Sequence, residues 1–338
     1  MTTETIFEKI VVLGTGGTIA GTASSASDNL GYTAAQLGIG QLLDSLPGVV
    51  PILAGRSLLT EQVAQIDSKD MSFAVWQALV QRVSFHLLQP EVKGIVIAHG
   101  TDTLEETAYF LDAVLPAMQL AGKAVVLTCA MRPASSAASD GPQNLLDALA
   151  VAGTPGASGV LVVCAGTIHG AADVQKVHPY RLDAFSSGDA GAIGYVEEAR
   201  VRLVRNWPGA ALDTMPGLTH KVAHASQWPR VEIVMNYAGA TGAMVDALVL
   251  PAGDAALGRA RNAPAPLRGL VVAATGNGSV HQDLEAALLR AREAGVEVLL
   301  ASRCGTGRVL PRADALFPDS RGLSPVKARV ALMLALMG

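Results

Sequence analysis

Four short apolar runs, Ile10 to Leu13, Ile95 to Ala98, Ala124 to Thr128 and Val160 to Cys164, alternate with stretches of helical periodicity along the first half of the chain. That alternation is the mark of a mostly parallel sheet flanked by helices. Two of the runs end in turns that carry hydroxyl groups. Gly14-Thr15-Gly16-Gly17-Thr18-Ile19-Ala20-Gly21 follows the first, and His99-Gly100-Thr101-Asp102-Thr103 follows the second. Ligands of open α/β sheets bind at this edge, where loops leave the strand ladder and helix N-termini point N–H groups into the crevice. Two threonines and an aspartate placed there suggest acyl transfer.

The helix after the second turn has the clearest pattern. Leu104, Thr107, Ala108, Leu111 and Leu115 share one face at helical spacing, and Pro116 ends the run. Thr103 with Glu106 predicts a capping box, and Glu105 and Glu106 suit the positive end of the helix dipole. Thr101 and Asp102 are thereby placed in the loop just before the helix.

At 338 residues the chain exceeds what one core usually supports. Periodicity fades and turn residues gather from Trp207-Pro208-Gly209 to Pro216-Gly217. We therefore expect a large N-terminal α/β domain over 1–207, a linker over 208–225 and a smaller C-terminal α/β domain over 226–338. In the latter, strands are predicted at Val231 to Met235, Leu270 to Ala273 and Val296 to Ala301. A helix is predicted from Gln282 to Glu293, and Ser324-Pro325 opens a last one with Ser as N-cap.

Hydrophobic residues make up 50% of the chain and charged ones 16%, which argues against disorder and for a subunit interface that hides apolar surface. The net charge of −4, with scattered Lys and Arg, gives no footprint for nucleic acid. No apolar run reaches the length of about 18 residues that a membrane helix needs. Met1 to Lys9 hold acidic groups and no apolar signal region, so a cytoplasmic location is expected. Cys129, Cys164 and Cys304 share no metal-binding spacing and read as buried free thiols.

Several chemistries fail on spacing. A dinucleotide fingerprint counted from Gly14 puts Ile19 where the third glycine belongs, no Gly-Lys-Ser/Thr follows for a P-loop, and no Gly-x-Ser-x-Gly elbow exists. His220 and His224 stand four apart without an evident third ligand, so no metal site is expected. His99 reads as a structural hydrogen-bonder rather than a base.

What remains are the two threonine turns themselves. Thr15-Gly16-Gly17-Thr18-Ile19-Ala20-Gly21 and His99 to Leu111 resemble the two signatures of bacterial L-asparaginases and glutaminase-asparaginases. Thr60 to Val63, Asp67 to Met71, Ala130 to Pro133, Ser139 to Pro142 with Asn144 and Leu145, and Gly276 to Ser279 are similar to that family in order and spacing. The resemblance spans about residues 9 to 338.

The resemblance implies roles. Thr18 matches the nucleophile and Tyr32 the tyrosine that hydrogen-bonds it, while Thr101, Asp102 and Lys176 match a second Thr-Lys-Asp constellation. Ser68 matches a ligand of the substrate α-carboxylate, and Asp102 would hold the α-ammonium. Lys69, Ala130 and Ser279 fall at further substrate-binding positions, Ser279 at one supplied by a neighbouring subunit. The chain departs from the family at Lys69, where relatives carry Gln or Glu, and after Arg303, where Asp314 is the nearest replacement for a missing glutamate. The implied assembly is a homotetramer of dimers that share active sites.

Chemistry agrees with these roles. Removing the proton from an ordinary lysine at pH 7 costs about 4 to 5 kcal/mol, so either burial lowers the pKa of Lys176 or it acts while charged; its expected role is chiefly to polarise Thr101 and position water. The expected reaction is hydrolysis of L-asparagine through an acyl-enzyme, without a cofactor. L-Glutamine is an alternative substrate, since one methylene is worth only about 1 to 3 kcal/mol in a pocket. An amino-acid-binding or sensing module without turnover is the non-enzyme alternative.

Overall fold

The computed structural model describes residues 8–209, 217–249 and 265–338. These form two units, Met1–His224 and Ala225–Gly338. The stretch 210–216 of the expected linker lies outside the described residues.

The first unit is built on an eight-stranded sheet. Its strands are β1 (Lys9–Gly16), β2 (Ser57–Ile66), β3 (Val92–Ala98), β4 (Ala124–Thr128), β5 (Gly159–Cys164) and β6 (Thr167–Gly170). A separate ribbon pairs β7 (Gln175–Lys176) with β8 (Phe185–Ser186), and β9 (Gly194–Glu197) and β10 (Arg200–Leu203) complete the large sheet. The order is β10-β9-β6-β5-β4-β3-β1-β2. The five strands from β2 to β5 pair in parallel, and β6, β9 and β10 extend the sheet in antiparallel fashion.

The central strands explain themselves. Ile10 to Leu13, Ile95 to Ile97, Val125 to Leu127 and Val160 to Val163 are fully buried, as strands covered on both faces must be. At the sheet edge, β2 instead alternates partly buried with exposed residues. One core gathers Ile10, Val12, Val96 and Val126 from the sheet with Leu145, Ala148 and Leu149 of the helix Gly141–Ala152. Each such side chain contributes about 1.5 to 3 kcal/mol on burial. The predicted face of the helix Leu104–Val114 is also fully buried at Leu104, Thr107, Ala108, Leu111 and the following Leu115.

The chain runs from β1 outward to β2, then crosses β1 to reach β3. The order therefore reverses between β1 and β3, and the C-terminal ends of those two strands open a crevice there. Both hydroxyl-bearing turns leave the sheet at this point.

The predicted capping box is corrected. Thr103 occupies the N-cap position but makes no side-chain cap bond; its hydroxyl donates instead to the Ser68 carbonyl at 2.8 Å. The helix start is thus tied to the loop after β2 rather than to its own first turn.

In the second unit β11 (Arg230–Met235), β12 (Leu267–Ala274) and β13 (Glu297–Ser302) form a parallel sheet in chain order. Leu284 and Leu288 of the helix Gln282–Glu293 pack on Leu270, Val272 and Val298. The side chain of His281 caps that helix by accepting the Asp283 N–H at 3.2 Å. Pro325 opens the last helix, Pro325–Ala335, but the expected hydroxyl cap from Ser324 is not made. The Ser324 carbonyl, accepting the Ala328 N–H at 2.8 Å, starts that helix instead. Among the described residues no helix is long and apolar enough to cross a membrane.

Candidate active site

The first turn begins as β1 ends. Gly14 pairs with Ala98 at the last step of the β1–β3 ladder, and the hydroxyl of Thr15 then donates to the Ala98 carbonyl at 3.1 Å. Beyond this lock Gly17 takes φ of +83°, and Thr18–Ala20 form a single 3-10 turn. A Cβ on Gly17 would run into the Cα of Gly100 in the second turn. Glycine is required here both for the left-handed backbone and for the approach of the two turns.

Thr18 is buried, and its Oγ1 lies 2.7 Å from the hydroxyl of Tyr32. Tyr32 comes back to Thr18 because Thr22 and Thr33 exchange both backbone hydrogen bonds, each at 2.9 Å, closing the loop between them.

The second set of side chains centres on Lys176. Its ammonium donates to Thr101 Oγ1 at 2.8 Å and to Asp102 Oδ1 at 2.6 Å. The Lys176 side chain is 18% exposed and that of Asp102 is 52% exposed, so the carboxylate stands at the solvent edge with a second oxygen for an ammonium. Because Lys176 donates to the Thr101 oxygen, the Thr101 proton is directed elsewhere, and Asp102 Oδ1 at 3.4 Å is one acceptor. A cavity of about 430 Å³ adjoins Asp102, Lys176, Val177, His178 and Pro179.

Ser68 completes the cluster from the loop after β2. Its Oγ accepts the Asp102 N–H at 3.1 Å, which leaves the buried hydroxyl its own proton to give to a carboxylate. The loops after β1, β2 and β3 therefore converge at Thr18, Ser68 and Thr101–Asp102.

The remaining expected residues are placed differently. Lys69 is exposed, and its ammonium bridges Asp70 at 2.6 Å and Asp67 at 3.4 Å. The hydrogen bond to Asp70 leads the interactions that raise its pKa, so the pair of carboxylates compensates its charge. Ala130 is fully buried in the core that also holds Ile19. Ser279 belongs to the second unit and lines a cavity of about 640 Å³ with Asn277 and Asp314. Its carbonyl accepts from Thr275 Oγ1 at 2.9 Å and Asn236 Nδ2 at 3.3 Å. Asp314 is exposed and paired with Arg312 at 2.6 Å.

His99 is fully buried, its Nδ1 2.7 Å from the Gly100 carbonyl. Burial pushes its pKa down to about 4 against that hydrogen bond, so the ring is neutral and braces the second turn. His220 and His224 stack on each other at 4.3 Å, and among the described residues no group of three or more metal-ligating side chains occurs. Cys129 and Cys164 are buried as expected, but Cys304 is exposed, since it falls in the glycine-bearing loop past the end of β13.

One participant escaped sequence reasoning. Glu105, read there only as a partner of the helix dipole, accepts the backbone N–H of Lys176 at 3.3 Å. It thereby fixes the strand that presents the ammonium. No local pattern signals this, because the two residues are far apart in the chain.

Paired hydroxyls, a lysine and a carboxylate at the switch point of a doubly wound sheet are the equipment of an amidohydrolase. Residues 9–208 match the family described as Asparaginase, N-terminal, and residues 230–338 the Glutaminase/Asparaginase C-terminal domain. The chain belongs to the asparaginase family and is an amidohydrolase.

It is 36% identical to the probable periplasmic L-asparaginase of Haemophilus influenzae, covering 97% of this chain and 88% of that one. It is 34% identical to the glutaminase-asparaginase of Pseudomonas fluorescens, covering 99% and 88%. The crystal structure of a probable cytoplasmic L-asparaginase from Campylobacter jejuni superposes with a TM-score of 0.83 at 34% identity, covering 97% of this chain and 95% of that chain.

Proposed function

We propose that this chain hydrolyses L-asparagine to L-aspartate and ammonia with Thr18 as the nucleophile. The observation that carries the reading is the meeting of two side-chain sets on abutting turns: Thr18 with Tyr32, and Thr101 with Asp102 and Lys176. Ser68 donates to the substrate α-carboxylate, and Asp102 pairs with its α-ammonium, which orients the side-chain amide toward Thr18. Thr18 Oγ1 attacks the amide carbon as its proton passes toward Tyr32. The C–N bond breaks, the nitrogen leaves with a proton as ammonia, and an ester to Thr18 remains. Water then attacks that ester, with Lys176 polarising Thr101 to position it, and L-aspartate is released. One placed acid or base supplies about 100- to 10,000-fold, so both sets are needed.

L-Glutamine is the second substrate under this proposal. The family's C-terminal description and the P. fluorescens relative both carry glutaminase in their names, and a single methylene discriminates weakly. We further propose a homotetramer in which Ser279 reaches the site of a neighbouring subunit. The compensated charge of Lys69 is compatible with an α-ammonium substrate, since a cation held by Asp67 and Asp70 repels an incoming ammonium less. The expected cytoplasmic location has support in the name of the C. jejuni protein and opposition in that of the H. influenzae protein.

The test is ammonia release from L-asparagine and L-glutamine by the purified protein beside its Thr18→Ala variant. Release that falls at least about 1,000-fold in the variant supports the nucleophile. Turnover that survives the change would exclude Thr18 from that role.

A further inference from the structure

Behind the Ala130 loop, at the ends of two neighbouring parallel strands, lie two thiols that the proposed reaction does not use. Thr128 of β4 faces Val163 of β5 in register, so the residues that follow, Cys129 just past the end of β4 and Cys164 at the end of β5, come side by side. Parallel neighbours stand about 4.8 Å apart, inside the range of about 4.4 to 6.8 Å between Cα atoms that a disulfide spans. The sulfurs are 3.0 Å apart, one S–H directed at the other. Both residues are buried.

The surroundings are built to hold this pair in place. Asn144 donates to the Cys129 carbonyl at 2.9 Å and to Asp140 Oδ2 at 3.2 Å, and its Oδ1 accepts the Ala165 N–H at 3.0 Å. Asp140 in turn accepts the N–H groups of Met131 and Arg132 at 2.9 and 3.0 Å. The residues that follow each cysteine are thus anchored to one helix start, and neither sulfur needs a backbone shift to reach the other.

We infer that Cys129 and Cys164 form a two-electron redox site that takes a small neutral peroxide as oxidant and closes reversibly to a disulfide. One thiol, ionised transiently, attacks a peroxide oxygen; the O–O bond breaks, and a sulfenic acid and water result once protons are exchanged. The second sulfur displaces the sulfenic oxygen as a second water and forms the S–S bond. Two thiols and one hydrogen peroxide become one disulfide and two waters, each sulfur giving up one electron. Reduction by an added dithiol reverses the change through thiol–disulfide exchange.

Burial makes this site slow and selective. It excludes bulky disulfides, and desolvation pushes the Cys129 thiol up, so little thiolate is present at rest. Exposed Cys304 is therefore expected to react first. The bond closes a loop that includes residues 130–163, so constraint of the unfolded chain should raise Tm by about 10 °C.

The experiment uses the full chain carrying Cys304→Ser, treated with hydrogen peroxide, unfolded in an alkylating agent and digested without reduction. The expected result is loss of both thiols together, a cross-linked pair of peptides that contain Cys129 and Cys164, a higher Tm, and restoration of thiols and Tm by dithiothreitol. Adding Cys164→Ser should abolish the cross-link and the rise in Tm. Both thiols still open to alkylation, after exposure that fully consumes Cys304 in the unsubstituted chain and is then extended tenfold, would overturn the inference. So would sulfinic acid at either cysteine without a cross-link. The readout involves no substrate, so it stands apart from the proposed reaction.

Discussion

The backbone of Gly17 rests against that of Gly100, leaving no room for a Cβ on the former. This contact joins the turn that carries Thr18 to the turn that carries Thr101 and Asp102, and it lies at the reversal of strand order between β1 and β3. Gly17→Ala should therefore both strain a left-handed backbone and push the turns apart. We expect a loss of about 1 to 3 kcal/mol in stability and a fall of at least about 100-fold in kcat, since misplacement of about 1 Å has that effect. Urea unfolding and ammonia release measure the two. A variant with normal kcat would show that the abutment does not set the site.

Tyr32→Phe removes only the hydroxyl that meets Thr18 Oγ1 at 2.7 Å. The ring stays, so folding should change by less than about 1.5 kcal/mol. A kcat reduced about 100-fold or more, with KM changed much less, is expected if the phenol receives the Thr18 proton. Steady-state kinetics on L-asparagine decide it, and a raised KM with kcat unchanged would assign Tyr32 to substrate binding instead.

Lys176→Met deletes the bonds to both Thr101 and Asp102 while keeping most of the unbranched side chain. Asp102 then loses its ion-pair partner, and Thr101 loses the charge that polarises it. We expect kcat to fall about 100- to 10,000-fold. Burst kinetics should show accumulation of the acyl-enzyme if the lysine serves chiefly the water step. Near-normal turnover in this variant would remove Lys176 from the mechanism.

The central parallel strands and the two threonine turns were legible because fully buried strands must be apolar throughout, and the helix Gln282–Glu293 because its amphipathic period is strong; the parallel edge strand β2, with exposed and partly buried residues, was not. Nor were the antiparallel strands β6, β9 and β10, since four-residue strands leave too few alternations to read. Thr103 shows the limit of local rules: its sequence fits a capping box, yet a long-range acceptor, the Ser68 carbonyl, takes its proton. Lys69 shows the same for charge. A cation beside a binding serine reads as a problem for an ammonium substrate until Asp67 and Asp70 are seen to hold it. The role of Glu105 falls outside sequence reasoning because accepting the distant Lys176 N–H depends on what the fold brings near.

His99 ties stability to pH. In the folded chain burial holds its pKa at about 4, against 6.5 for an exposed histidine. Between these values the unfolded chain binds a proton that the folded chain refuses, so acidification favours unfolding. The stability is fully present above pH 6.5, falls as pH drops from 6.5 to about 4, and loses no more below that; the difference corresponds to about 3 kcal/mol. Glu61 acts in the same sense at lower pH. Burial works to raise its pKa, but bonds from Arg82 and His86 prevail and hold it below 4.5, so its contribution fades only as pH falls through that lowered value. Urea midpoints at pH 7.5, 5.5 and 4.0 should therefore decline steadily, and His99→Gln should flatten the decline between 6.5 and 4. An unchanged slope in that variant would assign the acid sensitivity to carboxylates alone.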